Sequence, residues 1–171
     1  MKSTSALKWL IPLIFVLTFG AALAGLWPGE GQPFSLTNFR GEAITINARG
    51  LYYWDTVSSA AQMQANDLVV LILGLPLLAV SFWLTLRGSL RGRLMLTGTL
   101  GFILYTYITM CFGTAYNKFF LVYVTIFSLS LFAFILSMMS FDLKTLPAQF
   151  SEKLPRRGIA ALLYFAAAFL T

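Results

Sequence analysis

Few residues in this chain have the chemistry to act on a ligand, and they fall in three short segments. Asp67 opens a long apolar run with Asn66 just before it, and Asp55 lies a short way upstream. A carboxylate at the edge of a membrane segment can bind a cation or relay protons, because ionisable groups are costly in lipid and are kept for function. The same Asp67 can instead begin a helix, complementing its dipole while Asn66 caps it. Asp55, Gln62 and Asn66 would complete an outer acidic site, although two carboxylates at this spacing are a weak signal. Tyr116 and Asn117 form a second polar point between two apolar runs. Arg87, Arg91 and Arg93 form the third, a basic loop. Each such cation contributes ~1 kcal/mol toward an anionic leaflet, or the three simply set topology.

Much chemistry is excluded. The chain has no His and one Cys, Cys111. A His-ligated haem, the usual Cys/His zinc sites, a CxxC pair and any intrachain disulfide are therefore ruled out. A Ser-His-Asp or Cys-His nucleophile system is equally impossible. With no adjacent base, Cys111 reads as a small apolar packer. No catalytic residue, metal site or cofactor emerges.

The elements that must position these residues are membrane spans. Of 171 residues, 58% are hydrophobic and 11% charged, against roughly half and a quarter in soluble domains. A spanning helix needs ~20 predominantly apolar residues. Four stretches qualify: Trp9 to Trp27, Asp67 to Leu86, Leu94 to Ala115 and Phe119 to Ser140. A fifth runs from Gly158 to Thr171, only ~21 Å as a helix, so the expectation is a chain that continues beyond Thr171 or ends within the bilayer, the former favoured. The first stretch has a rival reading as a signal peptide, with Lys2 and Lys8 before the apolar run and Ala22-Leu23-Ala24 as a cleavage site. The predicted fold is an all-α membrane bundle, a single membrane domain of four full spans and a partial fifth with a small cap over 28–66.

Within the cap, Phe34 to Thr37 and Ala43 to Asn47 alternate around Arg40-Gly41 and predict a short hairpin. From Gly50 to Gln64 the period becomes helical. Trp54, Val57 and Ala61 share one face and Asp55, Ser59, Gln62 and Asn66 the other, which predicts an amphipathic helix lying on the outer membrane surface or capping the bundle. Pro76 predicts a kink in the second span. The third span is rich in hydroxyls, and Thr106, Thr109 and Gly113 share a face. In the fourth, Ser130, Ala133, Ser137 and Ser140 recur at helical spacing. This predicts a close-packed seam between the two, or else a polar cavity lined by Tyr105, Tyr107, Tyr116, Asn117 and Tyr123.

Placing the N-terminus in the cytoplasm puts Lys2, Lys8, Arg87, Arg91, Arg93, Lys144, Lys153, Arg156 and Arg157 inside, and Arg40, Arg49 and Lys118 outside. That bias follows the positive-inside rule. The net charge of +6 is thus topological, and nucleic-acid binding, which needs a basic surface clear of the bilayer, is not expected. No charged residue sits near a span centre, which argues against a proton pump or voltage sensor and leaves facilitators and channels open.

Three motifs carry a resemblance: Asn66-Asp67-Leu68 with Gly74-Leu75-Pro76; Arg87-Gly88-Ser89-Leu90-Arg91-Gly92-Arg93; and Ala115-Tyr116-Asn117 with Phe120 and Tyr123. Through them the segment from Gly50 to Leu146, a little over half the chain, resembles a group of uncharacterised bacterial multi-pass membrane proteins. The resemblance implies a plasma-membrane location and no particular activity. It also implies that the Asp67 region, the basic loop and Tyr116-Asn117 belong to one signature, of which Asp67 and Tyr116-Asn117 lie at the outer face on this topology.

Three function classes follow. The first is a non-catalytic subunit or accessory protein acting through helix–helix contacts with other membrane subunits or a second copy. It is favoured narrowly, from the small-residue seams. The second is a small-solute transporter or ligand-binding protein with an outer site at Asp67, Asn66, Tyr116, Asn117 and Asp55. The third, an enzyme acting on lipid, is disfavoured by the lack of positioned acid–base groups.

Overall fold

The computed structural model describes residues 2–147, 150 and 155–169. Four of its helices are long and apolar enough to cross a membrane, and the fold is an all-α membrane bundle with one small sheet. Helix α1 is Lys2–Leu26. Strands β1 (Phe34–Thr37) and β2 (Ala43–Ile46) follow. The second spanning helix runs Val57–Leu86 as three pieces: α2 (Val57–Val69), a wide π turn (Val70–Gly74) and α3 (Leu75–Leu86). Helices α4 (Leu90–Gly113) and α5 (Phe120–Met139) complete the bundle.

The chain divides into two compact units, Met1–Ser140 and Phe141–Thr171. In the second, α6 (Arg156–Phe169) is a fourteen-residue helix. Its described side chains are all exposed, and it covers most of the expected fifth stretch. Leu170 and Thr171, with the predicted Lys153, lie outside the described residues.

Each spanning helix turns one stripe inward. Ile11, Ile14, Thr18 and Ala22 do so on α1, and Leu96, Leu100, Ile103, Tyr107 and Met110 on α4. Large apolar residues such as Val16, Ile72 and Phe132 remain on the outside, where only lipid suits them. Part of the predicted seam lies inside the bundle, whereas Gly113 is exposed and Thr109 and Ser140 are only half-buried. Ser130, Ala133 and Ser137 of α5 are buried, as is Thr106 of α4, and the Thr97 and Ser137 hydroxyls meet at 2.5 Å. Small side chains let the two helices approach, and the hydroxyls bond across the contact.

At one end of the bundle, Gly88 adopts φ +79° and ends α3. Its N–H reaches Thr85 O at 2.9 Å and the Ser89 N–H reaches Leu84 O at 3.1 Å. Such a left-handed residue closes a helix without the Cβ strain another residue would meet. Ser89 then caps α4 through Gly92 N.

One expectation needs correction. The predicted surface helix over 50–64 does not exist as a separate element. Residues 51–54 form a turn, Thr56 is the N-cap, and α2 continues directly into the span. Its buried face is Ala60, Met63 and Asp67, not the face of Trp54 and Val57. Asp67 is accordingly an interior helix residue, and Asn66 caps nothing. The periodicity misled because the packing face lies between the two predicted arcs: Gln62 of the polar arc is exposed, and Ala60 and Met63 belong to neither. The expected disturbance at Pro76 takes the form of a π turn just before it, a feature that accompanies helix kinks. The irregularity is the wide turn at Val70–Gly74, where Leu75 N–H reaches back to Val70 O. Pro76 supplies no N–H and crowds the carbonyl one turn earlier, and a wider turn relieves both.

Candidate functional site

The site is assembled by a loop. β1 and β2 pair antiparallel, with Phe34 opposite Ile46 and Thr37 opposite Ala43. Asn38 closes their turn, its Oδ1 accepting from Arg40 N and Glu42 N at 2.9 and 3.0 Å. After β2 the chain folds back on itself. Asn47 Nδ2 donates to Arg49 O and Tyr52 O, while Asn47 N reaches Asp55 O at 2.8 Å and Ala48 N reaches Tyr53 O at 2.9 Å. A bridge between Ile46 and Thr56 clamps the ends of the loop. Successive residues of this tight turn face opposite ways: Tyr52 is buried, Tyr53 and Trp54 are exposed, and Asp55 is buried again.

The inward side forms a polar cluster. Tyr52 Oη donates to Asp67 Oδ2 at 2.6 Å, and Met110 Sδ lies 3.8 Å from the same hydroxyl. Gly25 of α1 presses on the pair so closely that an added Cβ would overlap the Asp67 carboxylate. Tyr107 and Tyr123 pack ring to ring at 5.9 Å. Tyr107 Oη reaches Thr18 O at 3.4 Å. Tyr123 Oη approaches Tyr52 and Asn117 but meets no partner in hydrogen-bond geometry. Burial, reinforced by the Asp67 carboxylate, pushes the Tyr52 phenol well above its ordinary range. Tyr52 therefore remains a proton donor at any physiological pH.

Asp55 does different work. Its Oδ1 accepts from Ala115 N and from Ser59 Oγ, each at 3.1 Å, tying the loop to the α4–α5 turn. Its Oδ2 is buried without a partner. Burial raises the Asp55 carboxyl above its usual value, against the lowering pull of those two donors.

The outward side of the loop is one wall of a cleft of about 870 Å³. Leu23, Ala24 and Trp27 from the end of α1 form a second wall, and Tyr116, Asn117, Lys118 and Phe119 of the α4–α5 turn a third. Tyr116 also packs on Phe120 at 5.3 Å. Asn117 Oδ1 accepts from Phe119 N at 2.9 Å, which fixes the turn.

The structure thus divides the expected outer site. Tyr116 and Asn117 line the cleft, Asp67 lies in the buried cluster, Asp55 pins the loop between them, and Asn66 is half-buried on α2. The aromatic walls from Trp27, Tyr53 and Trp54 escaped the sequence reading, as did the loop-building role of Asn47. The signal available was the run Leu51-Tyr52-Tyr53-Trp54 next to a glycine, Gly50, which adopts φ +58°.

The basic loop lies elsewhere. Arg87 stacks on Trp83 at 3.7 Å and Arg91 is exposed. Arg93 instead donates to the Ser140 carbonyl and, at 3.0 Å, to Ser140 Oγ at the end of α5. Among the described residues no group of three or more His, Cys, Asp or Glu could hold a metal ion. Comparison with family models, curated proteins and solved structures finds no match to any of them.

Proposed function

We propose that the protein is a ligand-binding membrane protein, of the small-solute binding or transport class, whose site is the aromatic cleft. The reading rests on the cleft itself, with Trp27, Tyr53, Trp54, Tyr116 and Phe119 around it and Asn117 and Lys118 at its edge. Its volume falls in the range of small-molecule sites, which are mostly apolar with a few placed polar groups. The ligand class that fits is amphipathic: an apolar or ring-shaped body against the aromatic walls and a polar or anionic end toward Asn117 and Lys118. The positive-inside bias supports a cytoplasmic N-terminus and a cleft at the outer face, and the resemblance to bacterial proteins supports the plasma (inner) membrane.

The subunit reading drew on the small-residue seams. Ser130, Ala133 and Ser137 are buried within the chain, Ser137 against Thr97 of α4, so they no longer argue for an external partner. The test is native mass spectrometry of protein extracted gently from its own membrane. A small molecule or one specific lipid retained by the wild type and lost in Trp54→Ala with Asn117→Ala supports the cleft. A stoichiometric protein partner with no retained small molecule overturns the reading in favour of a subunit.

A further inference from the structure

The buried cluster beneath the cleft has a charge problem. Asp67 is 2% exposed, and a carboxylate so placed needs a counter-charge or a set of donors. The structure gives it a hydrogen bond from Tyr52, at 2.6 Å. The sequence places no Lys or Arg from Trp9 to Phe39, from Gly50 to Leu86 or from Leu94 to Asn117. No basic side chain therefore belongs to the bundle interior around Asp67.

Oxygen ligands are available instead. Tyr123 is 1% exposed, and its hydroxyl is left without a hydrogen bond within electrostatic reach of Asp67 and Tyr52. An orphaned buried hydroxyl forfeits its bonds to water, so its persistence beside a buried carboxylate calls for an explanation. A Tyr hydroxyl can turn its lone pairs toward a cation. Gly25 brings the α1 backbone against the pair and leaves no room for a side chain, while the soft Met110 sulfur borders the Tyr52 hydroxyl. The second acid, Asp55, spends its Oδ1 on Ala115 N and Ser59 Oγ and keeps an unpartnered Oδ2, but its carboxylate forms no hydrogen bond to Asp67 or Tyr52. A single carboxylate, Asp67, beside the neutral phenol oxygens of Tyr52 and Tyr123 matches a single positive charge. Divalent calcium draws on several carboxylates and carbonyls.

We propose that Asp67, Tyr52 and Tyr123 form a binding site for one monovalent metal cation of sodium size, held by the carboxylate and the two phenol oxygens. The ion neutralises Asp67 and supplies the partner that Tyr123 lacks. Neither consequence depends on what the cleft binds.

The test is thermal unfolding of the full chain in detergent at fixed pH and ionic strength, in sodium, lithium, potassium or choline chloride. A ligand that binds only the folded state raises the midpoint in proportion to ln(1 + [L]/Kd). The expected result is a saturable rise with sodium over choline, absent in Asp67→Asn. Tyr123→Phe keeps the carboxylate and the packing, so it guards against misfolding of the Asp67 variant. Its midpoint in choline should match the wild type while its apparent sodium affinity falls about tenfold, the effect of one lost ligand bond. Equal midpoints in all four salts would overturn the proposal, as would a sodium response that survives in both variants.

Discussion

Tyr52 Oη and Asp67 Oδ2 meet at 2.6 Å, joining a loop of the cap to the interior of the second spanning helix. Tyr52→Phe removes the donor and leaves the carboxylate buried. The expected loss is about 1–3 kcal/mol of stability. Asp67→Asn should cost less, because an amide oxygen still accepts. If the two act as a pair, the double variant will lose less than the sum of the single losses. Denaturation midpoints in detergent measure this, and strict additivity would show that the contact carries no coupling.

Gly25 stands against the same pair. Gly25→Ala places a methyl where the Asp67 carboxylate and Tyr52 hydroxyl already are. We expect a loss of about 1–3 kcal/mol from overpacking, with weakened protection of the Tyr52 loop in hydrogen exchange. Gly20 is the control, since nothing lies within 4 Å of its added Cβ. Gly20→Ala should leave the midpoint unchanged or raise it.

Asp55 supplies a pH dependence. Its carboxyl is raised from 3.8 by burial, so the folded state binds this proton more tightly than the unfolded state does. Its stabilising contribution is then complete below about pH 3.8 and is lost as pH rises through the folded value. Subtracting an Asp55→Asn melting series from the wild-type series should isolate a component that declines with rising pH. A component that grows with pH would contradict the burial argument.

At the opposite end of the bundle, Arg93 and Arg91 should behave differently. Arg93→Ala removes the bonds to Ser140 at the end of α5, and bonds from a charged donor are worth about 1.5–3 kcal/mol. Arg91 is exposed, so Arg91→Ala should stay within about 0.5 kcal/mol. Equal melting midpoints for the two variants would remove Arg93 from the packing and return it to the lipid-facing set.

The spans were legible because their signal is redundant. Each needs only a long apolar run, and Val57–Leu86 announces itself wherever its helix begins. The hairpin around Arg40-Gly41 was legible for a similar reason, since alternation and a turn-forming Gly41 agree. The start of the second helix was not. Nothing local distinguishes Ala60 and Met63 as the packing face from Val57 and Ala61, because in lipid an apolar side chain suits either side. Tyr116 and Asn117 could be named as polar points between spans. Their aromatic partners Trp27, Tyr53 and Trp54 could not, because non-local folding of the chain, directed by Asn47, brings them together.

The wide turn at Val70–Gly74 has a mechanical consequence. The thirteen residues of α2 make a rigid arm of ~20 Å, and no flexible tether separates that arm from the cap, because Thr56 caps the helix and bridges to Ile46. If the helix pivoted at its weakest turn by ~10°, the far end of the arm would swing by ~3.5 Å for that length. That is the scale of a single hydrogen bond. Such a lever would part Asp55 from Ala115 and move the Trp54 wall of the cleft, turning a small tilt in the lipid into a change of shape at the bundle's end.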